Sequence, residues 1–177
     1  MPKNDHAHAL RLNTALRAHL GDEEAMAFAA SCPLSKSASV EARYAWACRV
    51  ADALAPCPDG AAIRRDCRCN DGRAMAQQIS ACIRKGGSLA AGCALFTEQN
   101  HYAGLEYVSE HELLFFYRAC VCSCVKRAEG LVPLMWCECS AGYAESMFRQ
   151  VFGCPVRVTL LESVKSGANR CTMRIEW

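Results

Sequence analysis

Ser140-Ala-Gly-Tyr-Ala-Glu-Ser-Met-Phe-Arg-Gln-Val-Phe152 decides the fold, together with the two segments behind it, Val156-Arg-Val-Thr-Leu-Leu-Glu162 and Cys171-Thr-Met-Arg-Ile-Glu-Trp177. The first repeats its apolar residues at helical spacing, with Ser140 as the expected N-cap and Gly153 as the stop. The other two alternate apolar and polar residues, the period of a strand with one buried face. Lys165-Ser-Gly-Ala-Asn169 between them has turn chemistry. A helix leading into a β-hairpin is therefore expected at this end.

Further upstream, Leu105–Val108 and Leu113–Val125 are rich in Tyr, Phe, Leu and Val and are expected to be strands, hinged at Ser109-Glu-His-Glu112. Residues 131–136 suit another short strand. Before Gly104 the pattern is helical. Segments 7–30, 37–55, Gly72–Lys85 and Leu89–Gln99 carry spaced apolar residues among Ala, Arg and Glu, with a break at Gly21-Asp22. Acidic Asp22-Glu-Glu24 suits a helix start, Ser31-Cys-Pro33 a stop, and Ser37 or Ser39 an N-cap. Pro56-Cys-Pro-Asp-Gly60 is a breaker, and Gly86-Gly87 ends a helix. The expectation is one α+β domain over 1–177: a helical N-terminal half, mainly 1–100, packed on an antiparallel sheet formed by 101–177.

Composition excludes several functions. Acids and bases are interspersed at a net charge of +2, which argues against a nucleic-acid surface or a polybasic membrane anchor. No apolar run approaches the ~20 residues that span a bilayer. The N-terminal stretch lacks the apolar core of a secretory signal, so a cytoplasmic location is expected. There thiols stay reduced, and clustered cysteines serve metals or catalysis more than disulfides.

Fourteen cysteines are present, and seven fall in three clusters: Cys67-Arg-Cys69, Cys120-Val-Cys122-Ser-Cys124 and Cys137-Glu-Cys139. On a strand, Cys120, Cys122 and Cys124 would line one face and Cys137 and Cys139 would return to them, able to share a zinc ion as a closed thiolate site. Cys-x-Cys is not the usual Cys-x2-Cys knuckle. Buried reduced thiols, disulfides and redox chemistry remain open alternatives. Arg64, Arg65 and Arg68 flank Cys67 and Cys69, and positive charge lowers a thiol's pKa. Cys32, Cys48, Cys82 and Cys93 lie in Ala-rich stretches and are expected to pack as small apolar groups. His6 and His8 are expected in a frayed terminus, and His101 and His111 beside the first strand. Phe116, Trp136, Tyr143 and Phe148 are the aromatic residues expected to line an apolar pocket, although core packing is the default for such residues.

Cys137-Glu-Cys-Ser-Ala-Gly-Tyr-Ala-Glu-Ser-Met-Phe148, Phe152-Gly-Cys-Pro-Val-Arg-Val158 and Glu162-Ser-Val-Lys-Ser-Gly-Ala-Asn-Arg-Cys171 resemble the end of the vinyl-reductase-like domain. That domain occurs in bacteriochlorophyll 4-vinyl reductase accessory proteins and in the sensor domains of aromatic-responsive activators. The pattern is also similar to the L-2-amino-thiazoline-4-carboxylic acid hydrolase-like family. The resemblance implies an α+β fold that binds a small organic ligand and forms homodimers. It also implies a zinc ion held by three Cys and one Glu, with Cys137 and Cys171 at the first and last ligand positions. Leu160 and Ser163 fall on the middle two, so that ligand set is not intact. Cys139, Cys122, Cys124 or the Cys67/Cys69 pair would have to supply substitutes. Three functions follow as expectations: ligand sensing with a structural zinc, a small hydrolase opening a C–N bond in a ring through a cysteine or metal-bound water, or metal and redox handling.

Overall fold

Helix starts and stops follow the punctuation in the sequence. In the computed structural model, which describes residues 4–177, α1 (Ala7–Leu20) and α2 (Asp22–Ser31) are separated by Gly21. α3 (Val40–Leu54) is capped by the Ser39 hydroxyl, which accepts the Ala42 N–H at 3.1 Å. α5 (Arg73–Gly86) ends at Gly87, whose φ of 74° is the left-handed conformation that closes helices. α6 (Leu89–Gln99) is capped by Ser88. One helix was not expected: α4 (Gly60–Asp66), a short helix directly after the Pro56–Gly60 breaker. None of the helices among the described residues is long and apolar enough to cross a membrane.

The fold is α+β, with a four-stranded antiparallel sheet of β1 (Ala103–Ser109), β2 (Glu112–Tyr117), β3 (Arg157–Glu162) and β4 (Cys171–Glu176) in the order β1-β2-β4-β3. α7 (Glu138–Phe152) precedes the β3–β4 hairpin. Contacts group the chain into two compact units. Unit 1 takes the chain up to Arg68 together with Cys122–Cys139, and unit 2 takes Cys69–Val121 together with Ser140–Trp177.

In unit 2, register places Leu105, Phe115, Met173 and Leu160 in one cross-strand row, and all four are buried. Phe148 of α7 meets Phe115 edge-on at 5.6 Å on that face. The alternate residues carry the Arg170–Glu106, Arg174–Glu112 and Arg157–Glu176 ion pairs. In unit 1, Leu12, Leu16, Trp46, Val50, Leu54, Ile63, Val125 and Trp136 form the core. Trp46 meets Trp136 edge-on at 5.5 Å and donates its indole N–H to the Cys32 carbonyl at 2.8 Å.

Three expected elements differ. The strand expected to run to Val125 stops at Tyr117, because β1 ends opposite it: Ala103 pairs with Tyr117, and the Arg118 N–H to Tyr102 carbonyl bond is the last rung. Beyond that point the Val-rich stretch has no neighbouring strand, and Cys122–Ala128 folds into turns instead, with Val125 and Lys126 both donating to the Cys122 carbonyl. Residues 131–136 form no strand; a 3-10 turn covers Leu134–Cys137. α7 starts at Glu138, so Ser140 lies inside the helix rather than capping it.

Gly60 makes α4 possible. A Cβ added there would lie 2.1 Å from the Leu54 carbonyl oxygen, a backbone atom that cannot yield without moving α3. Gly60→Ala is expected to destabilise unit 1 by about 1–3 kcal/mol. Chemical denaturation followed by Trp fluorescence measures this, and an unchanged midpoint would refute the packing argument.

Candidate functional site

α4 turns Ile63 and Arg64 into unit 1 while Arg65 and Asp66 reach other partners. Arg64 is only 2% exposed, and its guanidinium lies 4.0 Å over the Trp136 ring. Nη2 donates to the Trp136 carbonyl at 2.7 Å, while Nε is buried with no partner. Trp136 Nε1 and Arg43 Nε are likewise buried and unbonded. Burying a guanidinium is costly unless an anion and hydrogen bonds compensate it. The neighbouring carboxylates are engaged elsewhere: Glu138 takes Arg65 at 2.9 Å, and Asp66 takes His19 at 2.8 Å and Arg68 at 3.3 Å.

Cys67, Cys124 and Cys139 belong to the same unit as this cation. Cys67 is buried and donates to the Ile63 carbonyl at 3.2 Å. Positive charge from Arg64 and Arg11 pulls its pKa down as the sequence suggested, but burial is the larger effect and leaves it raised. Cys139 Sγ lies 3.7 Å from the same Trp136 carbonyl oxygen that accepts Arg64. Cys124 is 1% exposed, with Sγ 3.9 Å from the Arg43 carbonyl. Burial first, then the neighbouring Cys122 and Cys139, push the Cys124 thiol up to about 12, against the opposing pull of Arg43 and Arg64. Cys122, Cys124 and Cys139 thus share one electrostatic neighbourhood with two guanidiniums.

The thiol loop is anchored by a histidine that the sequence placed in a frayed terminus. His6 instead caps α1, accepting the His8 N–H at Nδ1, and His8 is buried. His8 Nε2 lies 3.1 Å from Ser123 Oγ, and Nδ1 lies 2.9 Å from Arg11 Nη2. A guanidinium only donates, so Nδ1 is the acceptor, and the Nε2 proton is assigned to the bond with Ser123. Burial, then Arg11, His6, Arg64 and Arg43, lower its pKa to about 3. Ser123 sits between Cys122 and Cys124, so this bond holds the loop that carries both thiols.

The remaining expected ligands belong to both units. Cys137 is half-buried at the end of the 3-10 turn in unit 1. In unit 2, Cys69 is exposed and Cys120 half-buried, while Cys171 is buried, accepting the Val164 N–H at 3.5 Å with Ser163 Oγ 3.9 Å away. All fourteen cysteines stand as thiols. Among the described residues, no three of His, Cys, Asp or Glu converge closely enough to hold an ion. The thiols of unit 1 are soft donors in type, and their side chains do not meet at one point.

Of the expected pocket aromatics, Trp136 belongs to unit 1, and Phe116, Tyr143 and Phe148 to unit 2. Phe116 lies on the sheet face opposite Phe115 and Phe148, with the Arg170 guanidinium 4.6 Å and that of Arg118 5.3 Å from its ring centre. Tyr143 is close to Tyr117 and Asp71. Open depressions lie elsewhere. One of about 500 Å³ is lined by Pro33, Leu34 and Ala42 in unit 1, and one of about 590 Å³ by Met75, Cys82, Phe96 and Tyr102 in unit 2.

No curated protein matches the sequence. Among solved structures, the chain is similar to a point mutant of an H-NOX domain from Shewanella oneidensis, determined by NMR in the Fe(II)CO ligation state. Identity is 14%, the TM-score is 0.45, and 97% of each chain is covered; a likeness at that level carries no functional argument. The model of a family of unknown function, DUF6144, matches residues 14–177, and the chain belongs to that family.

Proposed function

We propose that the protein is a small-molecule-binding or sensing domain built around a cysteine-ligated structural metal, zinc, with the thiols of unit 1 as its ligands. One observation supports this most: a buried Arg64 guanidinium with no carboxylate on it, placed among Cys67, Cys124 and Cys139. Thiolates are the anions this surrounding offers, and soft thiolates favour zinc. Bound there, the ion would tie α4, the Cys122–Ala128 turns and the start of α7 together. Loading requires the thiols to rotate toward one another, and the turns around Cys122 and Cys124 are not held in a strand ladder. The hydrolase alternative lacks comparable support. His8, with its proton on Nε2 and neutral down to about pH 3, is not placed to take a proton from Ser123.

Elemental analysis of the purified full chain is expected to find zinc bound, and Cys124→Ser and Cys139→Ser to lower its occupancy. Chelation is expected to melt unit 1, since structural zinc contributes folding energy. Metal-free protein with fourteen titratable thiols and an unchanged fold would overturn the metal half of the reading. A panel of aromatic acids screened by thermal shift tests the ligand half, and no shift with any of them would count against it.

A further inference from the structure

Whatever the thiols hold, unit 1 buries N–H groups that have no acceptor: Arg64 Nε, Arg43 Nε and the indole Nε1 of Trp136. Two of them belong to one stacked pair, since the Arg64 guanidinium lies 4.0 Å over the Trp136 ring. Neither Arg43 nor Arg64 forms an ion pair among the described residues. Glu138 and Asp66, close to Trp136 and Arg64 in sequence, are held by Arg65, His19 and Arg68. A third guanidinium is near: Arg11 Nη2 lies 2.9 Å from His8 Nδ1, and the His8 ring lies 6.4 Å from that of Trp136. Arg11, Arg64 and Arg43 all act on this buried imidazole. Positive charge from α1, α3 and α4 therefore gathers around an uncharged ring. Arg and Trp side chains donate hydrogen bonds and accept none. A buried water would have to place its own two protons among these donors, and it would leave the charge unanswered. An anion accepts from each of them and supplies the missing charge.

We propose that unit 1 binds a compact, singly charged anion at Arg64 Nε and Trp136 Nε1, with Arg43 adding positive charge. The guanidinium supplies most of the attraction, and the indole N–H supplies direction. Trp136 and Arg64 are 1% and 2% exposed, which limits the occupant to a few atoms. Arg43 is half-buried, so the cluster extends to the surface of the unit. The occupant is either a free inorganic ion, such as chloride or nitrate, or the carboxylate of a small acid; both act as acceptors of the same N–H bonds. No metal is needed for this site, since all its donors are nitrogen.

The test is urea denaturation of the full chain, followed by Trp fluorescence at fixed ionic strength, with chloride, nitrate or acetate exchanged for a bulky sulfonate. At least one of the three is expected to raise the midpoint in a saturable way, as a ligand of the folded state does. A response to chloride or nitrate identifies a free inorganic ion, and a response to acetate alone identifies a carboxylate. Trp136→Phe keeps an aromatic ring and removes one N–H, while Arg43→Gln removes one charge. Each is expected to weaken the anion by about tenfold or more. Arg64→Gln is expected to abolish the response; if it does not fold, the other two variants decide. Midpoints that do not depend on the anion overturn the inference, as do equal responses in the parent and both variants. Elemental analysis of the same samples separates this site from the metal reading. A saturable anion response in zinc-free protein overturns the metal reading alone, and zinc-loaded protein without a response overturns this inference alone.

Discussion

Trp136→Ala is expected to cost unit 1 about 3–5 kcal/mol, the range for truncating a fully buried aromatic side chain. Trp136 is 1% exposed, and three features converge on it. Trp46 packs edge-on, the Arg64 guanidinium covers one face, and the backbone carbonyl of Trp136 itself takes the Arg64 hydrogen bond. Removing the ring opens a cavity beneath a buried charge, and water would enter to solvate it. Against a typical domain stability of about 5–15 kcal/mol, that leaves little margin. Urea denaturation measures the loss. Faster reaction of Cys124 and Cys139 with a thiol reagent should accompany it. Trp136→Phe keeps an aromatic face under Arg64 and is expected to be much milder. A Trp136→Ala midpoint equal to that of the parent would show that the ring does not organise the centre.

Stability is expected to fall as pH drops from about 6.5 toward 5, and His8→Gln is expected to flatten that fall. His8 titrates near 6.5 when unfolded and at about 3 in the fold. Between those values the unfolded chain binds the extra proton, so acid favours unfolding. Half-buried His6, lowered by burial and by Arg43 and Arg11, adds in the same direction. One pKa unit corresponds to about 1.4 kcal/mol, so the His8 contribution is on the order of 2 kcal/mol by pH 5. That window lies above the ordinary carboxylate range, which separates the effect from acid denaturation in general. Denaturation midpoints at pH 7 and pH 5 provide the comparison. Equal pH dependence in the parent and His8→Gln would show that the buried imidazole does not govern this response.

Most helix and strand positions were legible because their signals are local. Gly21, Ser39, Gly87 and Ser88 act through the backbone conformations or hydrogen bonds of their own turns. The β3–β4 hairpin followed from alternation and from the turn residues between Lys165 and Asn169. The errors came where a distant partner decides. Cys120–Val125 has strand composition, but a strand needs a neighbour, and β1 has none to give past Ala103. The Cys-x-Cys spacing drew attention to Cys122, Cys124 and Cys139, yet the face-sharing argument behind it failed, since the segment that carries Cys122 and Cys124 folds into turns rather than a pleated strand. The burial of Arg64 and His8 was missed because charged and terminal residues are ordinarily exposed. Nothing local marks the one arginine that α4 carries inward or the histidine that meets Ser123.

The Arg64–Trp136 bond joins residues 72 positions apart, and His8–Ser123 joins residues 115 apart. At roughly 5–20 residues per second, a ribosome needs on the order of 4–14 s after making Arg64 before Trp136 exists. Throughout that interval the nascent chain holds α1, α3 and α4 without the segment that covers them. Cys32, Cys48, Cys57 and Cys67 are then open to oxidation, and the Arg64 charge is still in water. Synthesis rate and cellular reducing power therefore bear on the yield of this protein more than on that of one whose units are contiguous in sequence.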